Sequence, residues 1–177
     1  MRVFGRKPVE AAAPFDLSKA VRSAVDFFEE TARLRGCRIE VAVEPGITVC
    51  GHAILIEQVV ANIVSNALAA FKRMPSDRQT PCIRVEVKRE GASARVEIID
   101  NAGGVPSGVL PRIFEPFFTT KPGAEGTALG LSISYGIVND MGGRLEARND
   151  AGGASFSFLL PMAEFSKLTE EESMIIA

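Results

Sequence analysis

At 177 residues, 46% of them apolar, the chain suits one globular domain with short tails. Twenty basic side chains against twenty-two acidic ones leave a net charge of −2 with no basic run, which argues against nucleic acid as a partner. Cys37, Cys50 and Cys82 are odd in number, far apart and without Cys-x-x-Cys spacing, so reduced thiols are expected rather than a zinc site or a disulfide framework.

The opening segment, residues 1–15, reads as a linker; it has basic residues but no apolar stretch of a leader behind them. No apolar run is expected to reach the roughly 18–20 residues of a membrane span. A cytoplasmic domain without direct membrane contact is therefore expected. "DLSKAVRSAVDFFEETARLRG" starts on an Asp cap and stops at Gly36, which predicts the first helix. "CRIEVAVEPG" and "ITVCG" predict two short strands around a Pro-Gly turn. A second helix is predicted from about Ala53 to Arg73, and "CIRVEVKRE" with "ARVEIID" predicts an antiparallel hairpin ending at Asp100.

Residues 101–127, rich in glycine and proline, predict a long irregular loop, of a length that is either functional or disordered, with a short helix near "SGVLPRIF". "ALGLSISYGIVNDMGG" predicts a third helix with Leu129, Ile133 and Ile137 in register, and the segments around Gly152 predict a closing hairpin. The expected domain runs over 16–162, with a tail at 163–177. This order predicts an α/β (α+β) two-layer sandwich, a mixed and mostly antiparallel sheet with three helices on one face.

The candidate chemistry sits at the ends of these elements. On the second helix Gln58, Asn62 and Asn66 recur at i, i+4 and i+8, an amide stripe that must face something polar. Asp100 stands where an apolar strand runs out into "NAGG", and "GAEGTALGL" puts glycines where a loop enters a helix. Glycines there let backbone approach a ligand, and free N–H groups at a helix start favour an anion such as phosphate. Amide oxygens facing such a loop suit a Mg²⁺ carried on phosphates. Each piece alone also has a plain structural use, and spacing by itself stops at an anion or nucleotide site.

Taken together, "EQVVANIVSNALAAF", "DNAGGVP", "RIFEPFFTTK" and "GTALGLSISYGIVNDMGG" resemble, in order and spacing, the N, G1, F and G2 boxes of sensor histidine kinase catalytic domains. The style is that of the nitrogen-regulator and dicarboxylate-sensor branch, within the ATP-binding superfamily shared with gyrase, the heat-shock chaperone and mismatch-repair ATPases. The resemblance runs from about Asp16 to Pro161. It implies that Asp100 accepts a hydrogen bond from the adenine amino group, that Gly104 lets the chain pass close to the base, and that Asn66 coordinates Mg²⁺ with Asn62 in support. Phe114, Phe117 and Phe118 match the aromatics that anchor a lid over ATP, and Thr119, Thr120 and Lys121 begin that lid, Lys121 as a charge for phosphate. Gly126, Thr127, Ala128, Leu129, Gly130 and Leu131 match the phosphate-holding box.

Two departures stand out: Ala102 replaces the first glycine of the G1 box and Ala128 the middle glycine of the G2 box. Histidine kinases also carry an acceptor histidine on a helical dimerisation hairpin, whereas His52 is the single histidine here and lies just before the second helix. The resemblance therefore implies a catalytic domain that takes ATP and Mg²⁺ and phosphorylates a hairpin outside this chain, with a response regulator as an indirect partner. Hydrolysing relatives place a Glu where Asn62 stands, and an amide cannot serve as general base, so phosphoryl transfer is expected over ATP hydrolysis. An ATP-driven clamp and a pseudokinase or anti-sigma-like interaction module with weak ATP binding, the latter favoured by Ala128, are the alternatives.

Overall fold

The computed structural model describes residues 11–74, 79–118, 129–150 and 152–163. Strand β1 (Ala13–Asp16) hands over to helix α1 (Leu17–Leu34) at Asp16, whose extended backbone frees its carboxylate to accept from the Lys19 N–H at 3.0 Å. Past the cap residue Arg35, Gly36 takes a φ of 65° and turns the chain out of the helix. There follow β2 (Arg38–Val43), β3 (Thr48–Gly51), α2 (Ala53–Phe71), β4 (Cys82–Glu90), β5 (Ser93–Asp100), a 3-10 turn at Leu110–Arg112, α3 (Gly130–Asp140), β6 (Arg144–Asp150) and β7 (Gly153–Pro161).

The main sheet has the order β2-β4-β5-β7-β6, with β2 parallel to β4 and every other neighbour antiparallel. Alternation along β4 and β5 decides which face is covered. Ile83, Val85 and Val87 lie opposite Asp100, Ile98 and Val96, all buried on one face, while Arg84 and Arg95 point to the other. Helix α1 packs on α2 and β2, α2 on α3 and β5, and α3 on β6 and β7, so the three helices share the covered face. This is the expected two-layer α/β sandwich. Its core centres on Leu17, Ile56, Ile63, Ile98 and Phe158, each less than 2% exposed and each contributing about 1.5–3 kcal/mol by burial. On the helix-free face the buried Glu97 is held by Arg148 at 2.9 Å and by Ser155 at 2.7 Å.

The structure departs from the sequence reading in three places. Residues 13–15 are not linker: with Asp16 they form β1, which pairs antiparallel with β3, and Phe15 opposite Val49 packs onto the core. A four-residue strand containing a proline gives no alternation to read, and an edge position tolerates the missing N–H. Strands β2 and β3 flank Pro45-Gly46 as expected but join different sheets. Arg89 fixes that turn instead, donating to the Glu44 carboxylate at 2.7 Å and to the Gly46 carbonyl at 2.9 Å. Finally, among the described residues one helix, α2, is long and apolar enough to cross a membrane by length and composition. Glu57 is its single charge, because amides rather than charges supply its polar side. Its Ile56, Val59, Val60, Ile63, Val64, Ala67 and Leu68 are buried in this fold, as in a core helix.

Candidate functional site

Asp100 closes β5 on the helix-bearing face and is 9% exposed. Its Oδ1 accepts from the Ala102 N–H at 2.8 Å, an Asx turn, and from the Ala154 N–H of β7 at 3.3 Å. Among the described residues no hydrogen bond is made to Oδ2. Burial pushes the carboxyl above the usual carboxylate range, and the Ala102 and Ala154 N–H groups pull it part of the way back. A strand-end Asp of this kind is both a turn former and an acceptor held ready for a second donor.

The loop after Asp100 is closed against the β6–β7 hairpin by main chain. Gly103 N–H donates to the Gly152 carbonyl at 2.8 Å. A methyl carbon on Gly153 would lie 1.6 Å from the Asp100 carbonyl oxygen, so glycine is required there for the strands to meet. At Gly104, with φ 79°, the same carbon would meet Asn149 Oδ1 at 2.8 Å and the Gly153 carbonyl at 3.0 Å. In this structure the close neighbour of Gly104 is therefore the hairpin. Asn149 completes the closure: its Oδ1 accepts from Val105 N–H at 2.8 Å and its Nδ2 donates to the Val105 carbonyl at 2.7 Å.

The amide stripe on α2 is only partly buried. Gln58 is exposed, while Asn62 and Asn66 are half-buried on the same side of the helix. Asn62 Nδ2 donates to the Gly130 carbonyl at 3.0 Å and to Ser134 Oγ at 3.1 Å, and Ser134, fully buried, donates in turn to that carbonyl at 2.8 Å. An acceptor-only carbonyl fixes which end of the amide donates to α3, and the Asn62 Oδ1 lies beside Gly130, 3.6 Å from where a side chain on that residue would begin. Asn62 thus ties α2 to the first turn of α3. Gly130 and Leu131 open that helix, and Leu129 is its cap residue.

Of the aromatic cluster, Phe114 stacks on Tyr135 of α3 with centroids 5.4 Å apart, and Phe118 receives the Arg112 guanidinium at 4.5 Å. Phe117 stands 76% exposed with a φ of 63°, a strained backbone for a bulky residue. Thr119, Thr120, Lys121, Gly126, Thr127 and Ala128 lie outside the described residues. His52 occupies the N-cap position of α2 but makes no side-chain cap bond. Cys37, Cys50 and Cys82 are all free thiols.

The donor set suits Mg²⁺ of one particular kind. Among the described residues there is no cluster of three or more His, Cys, Asp or Glu, as a self-sufficient metal centre would need. A cation that keeps its waters and rides on phosphates needs only one or two oxygens from the protein, and the amide oxygens of Asn62 and Asn66 are of that type. Sequence reasoning missed Asn149, Gly153 and Ser134. The Gly-Gly turn was legible only as a turn, and Ser134 is masked by the apolar residues of its helix.

The family model described as "Histidine kinase-, DNA gyrase B-, and HSP90-like ATPase" matches residues 51–164. The two-component sensor PprA of Pseudomonas aeruginosa is 39% identical over 164 residues, 91% of this chain and 18% of that protein. The C4-dicarboxylate transport sensor protein DctB of Rhizobium meliloti is 30% identical over 165 residues, 92% of this chain and 25% of that one. The chain thus spans about a fifth to a quarter of the length of these relatives. Among solved structures, the nucleotide-free catalytic domain of the histidine kinase ThkA matches with a TM-score of 0.75 at 29% identity, over 85% of this chain and 95% of that one. ThkA in complex with the response regulator TrrA matches at 0.69 and 27%, over 85% and 41% respectively.

Proposed function

Because this chain belongs to the histidine kinase-, DNA gyrase B- and HSP90-like ATPase family, we propose that it is the ATP-binding catalytic domain of a two-component sensor histidine kinase. It binds Mg-ATP and passes the γ-phosphate to a histidine on a dimerisation hairpin. The observation that carries this reading is Asp100: a buried carboxylate at a strand end, Oδ1 already held by two backbone N–H groups, on the sheet face that α2 and α3 cover.

In this reading Asp100 accepts the adenine amino group, which separates adenine from guanine because guanine presents an oxygen there. Gly104 keeps the base-side loop close to the hairpin. Asn66 and Asn62 would hold Mg²⁺ through their amide oxygens, that of Asn62 lying beside Gly130 at the start of α3. When bound, that ion neutralises charge on the phosphate oxygens during transfer. Leu129, Gly130 and Leu131 bring the start of α3 to the phosphates, with Gly126, Thr127 and Ala128 before them and Phe118, Thr119, Thr120 and Lys121 at the start of the lid. Lys121 adds positive charge. Asn62 has no basic atom to activate water, which supports transfer over hydrolysis.

The partners follow from the same reading. The acceptor is a histidine-bearing hairpin, since His52 is tucked at a helix start, and a response regulator receives the phosphate in turn. In this reading the domain works in the cytoplasm. The domain proper runs from β1, which begins at Ala13, to about residue 162.

The test is calorimetric titration with a non-hydrolysable ATP analogue, with and without Mg²⁺, followed by radiolabelled ATP with a histidine-bearing hairpin supplied in trans. Saturable binding tightened by Mg²⁺, and label on the hairpin, are expected. Absence of nucleotide binding would sink the reading in favour of the interaction module.

A further inference from the structure

In the β6–β7 hairpin Asn149 lies directly opposite Ala154. Ala154 is the residue whose N–H reaches Asp100 Oδ1 at 3.3 Å, and Asn149 is the one whose amide closes on Val105. One cross-strand pair therefore holds both the base-side carboxylate and the far end of the loop that leaves it. The Asn149 amide meets both main-chain groups of Val105, the N–H at 2.8 Å and the carbonyl at 2.7 Å, which is the pairing a neighbouring strand would provide. Between these two anchors Gly103 is bonded to Gly152, and Gly104 has Asn149 Oδ1 where a side chain would begin.

Asn149 is exposed, so its worth to the core is small, whereas its amide fixes the Val105 end of the span that begins at Asp100, through both main-chain groups of Val105. Val105, Val109 and Leu110 pack onto the core, so a loop released from the Asn149 amide stays tethered from Val105 onward and shifts locally around Gly103 and Gly104. We propose that Asn149 is a positioning residue for base recognition: by acting as a substitute strand for Val105 it holds the loop beside Asp100 and sharpens the choice of adenine over bases without the amino group. The inference rests on the base-recognition role of Asp100 given above.

Two substitutions separate shape from hydrogen bonding. N149A removes the clasp. N149D keeps nearly the same shape and can still accept from the Val105 N–H, but it sets a carboxylate oxygen against the Val105 carbonyl. Binding of non-hydrolysable ATP and inosine triphosphate analogues to the whole chain would be measured by calorimetry for both variants, with D100N as control. The expected result is adenine-nucleotide affinity lowered about three- to thirtyfold in N149D, at least as far as in N149A, with the inosine analogue changed less so that the ratio narrows. An unchanged ratio, including one in which both affinities fall together with Tm, overturns the inference, since a purely structural role behaves that way. If D100N loses adenine preference while N149D binds as wild type, the inference alone fails; if D100N also binds as wild type, the reading beneath it fails too.

Discussion

At the strand end of the site, Asp100 and its loop are held by main chain: N–H groups of Ala102 and Ala154 on the carboxylate, Gly103 on Gly152, and Gly153 pressed against the Asp100 carbonyl. At the helix end, α2 and α3 are joined by side chains, the Asn62 amide and the Ser134 hydroxyl meeting on one carbonyl. The two ends therefore answer to different constraints. In the proposed reading, backbone contacts specify where a base would lie almost regardless of which residues make them, provided glycine stays where strands touch. The helix end, which that reading gives to phosphate and metal, depends on the identity of a few polar side chains, so single substitutions there are expected to tune it without disturbing the other.

The harshest way to break this contrast is G153A. Its new carbon would fall 1.6 Å from the Asp100 carbonyl oxygen, so the hairpin must separate from β5. A loss of roughly 2–4 kcal/mol in urea unfolding, with nucleotide binding abolished, is expected; a wild-type midpoint would show the main-chain contact to be dispensable.

D100N comes next and cuts in two directions. Replacing the acceptor should lower adenine-nucleotide affinity roughly ten- to hundredfold. The burial that lifts the Asp100 carboxyl above its ordinary range has the opposite effect on the fold. An acid whose folded pKa is raised costs stability once pH passes that raised value, and the cost fades as pH falls through it toward the unfolded value. D100N is therefore expected to melt above wild type at neutral pH, with the gap closing in acid, when Tm is followed across the carboxylate range. A D100N protein that melts below wild type at neutral pH would contradict this.

S134V is the mildest and the most informative about the contrast. Removing a fully buried hydroxyl leaves Asn62 one acceptor instead of two, at a cost of about 1 kcal/mol. Affinity for the Mg-nucleotide should fall about two- to fivefold while preference for adenine over inosine stays unchanged. A shift in that preference would mean that the two ends are coupled.

How much of this could be read from the chain depended on whether a residue acts along its own element or across to another. The helices announced themselves by caps and periodicity, as at Asp16 and Gly36, and β4 and β5 by strict alternation. Asp100 and the amide stripe were visible because their polarity conflicts with their surroundings. Asn149 acts across strands on Val105, 44 positions earlier, and Gly153 on Asp100, 53 positions earlier, so no local pattern marks them. β1 escaped for the same reason, since it is held by its pairing with β3 and by Phe15 against the core. The partner of Asn62 lies 72 residues away at Ser134, and the stripe foretold a polar neighbour without saying which.

Strand β3 carries one more implication. Val49 pairs with Phe15 of β1 and also bridges to Met162, just past the end of β7. The first and last strands of the described domain thus lie on either side of one residue, two strand spacings or about 10 Å apart. Chain arrives and departs at a single corner, so the domain can be spliced between flanking segments as a cassette, and joining those two ends by a short linker should be a workable route to circular permutation.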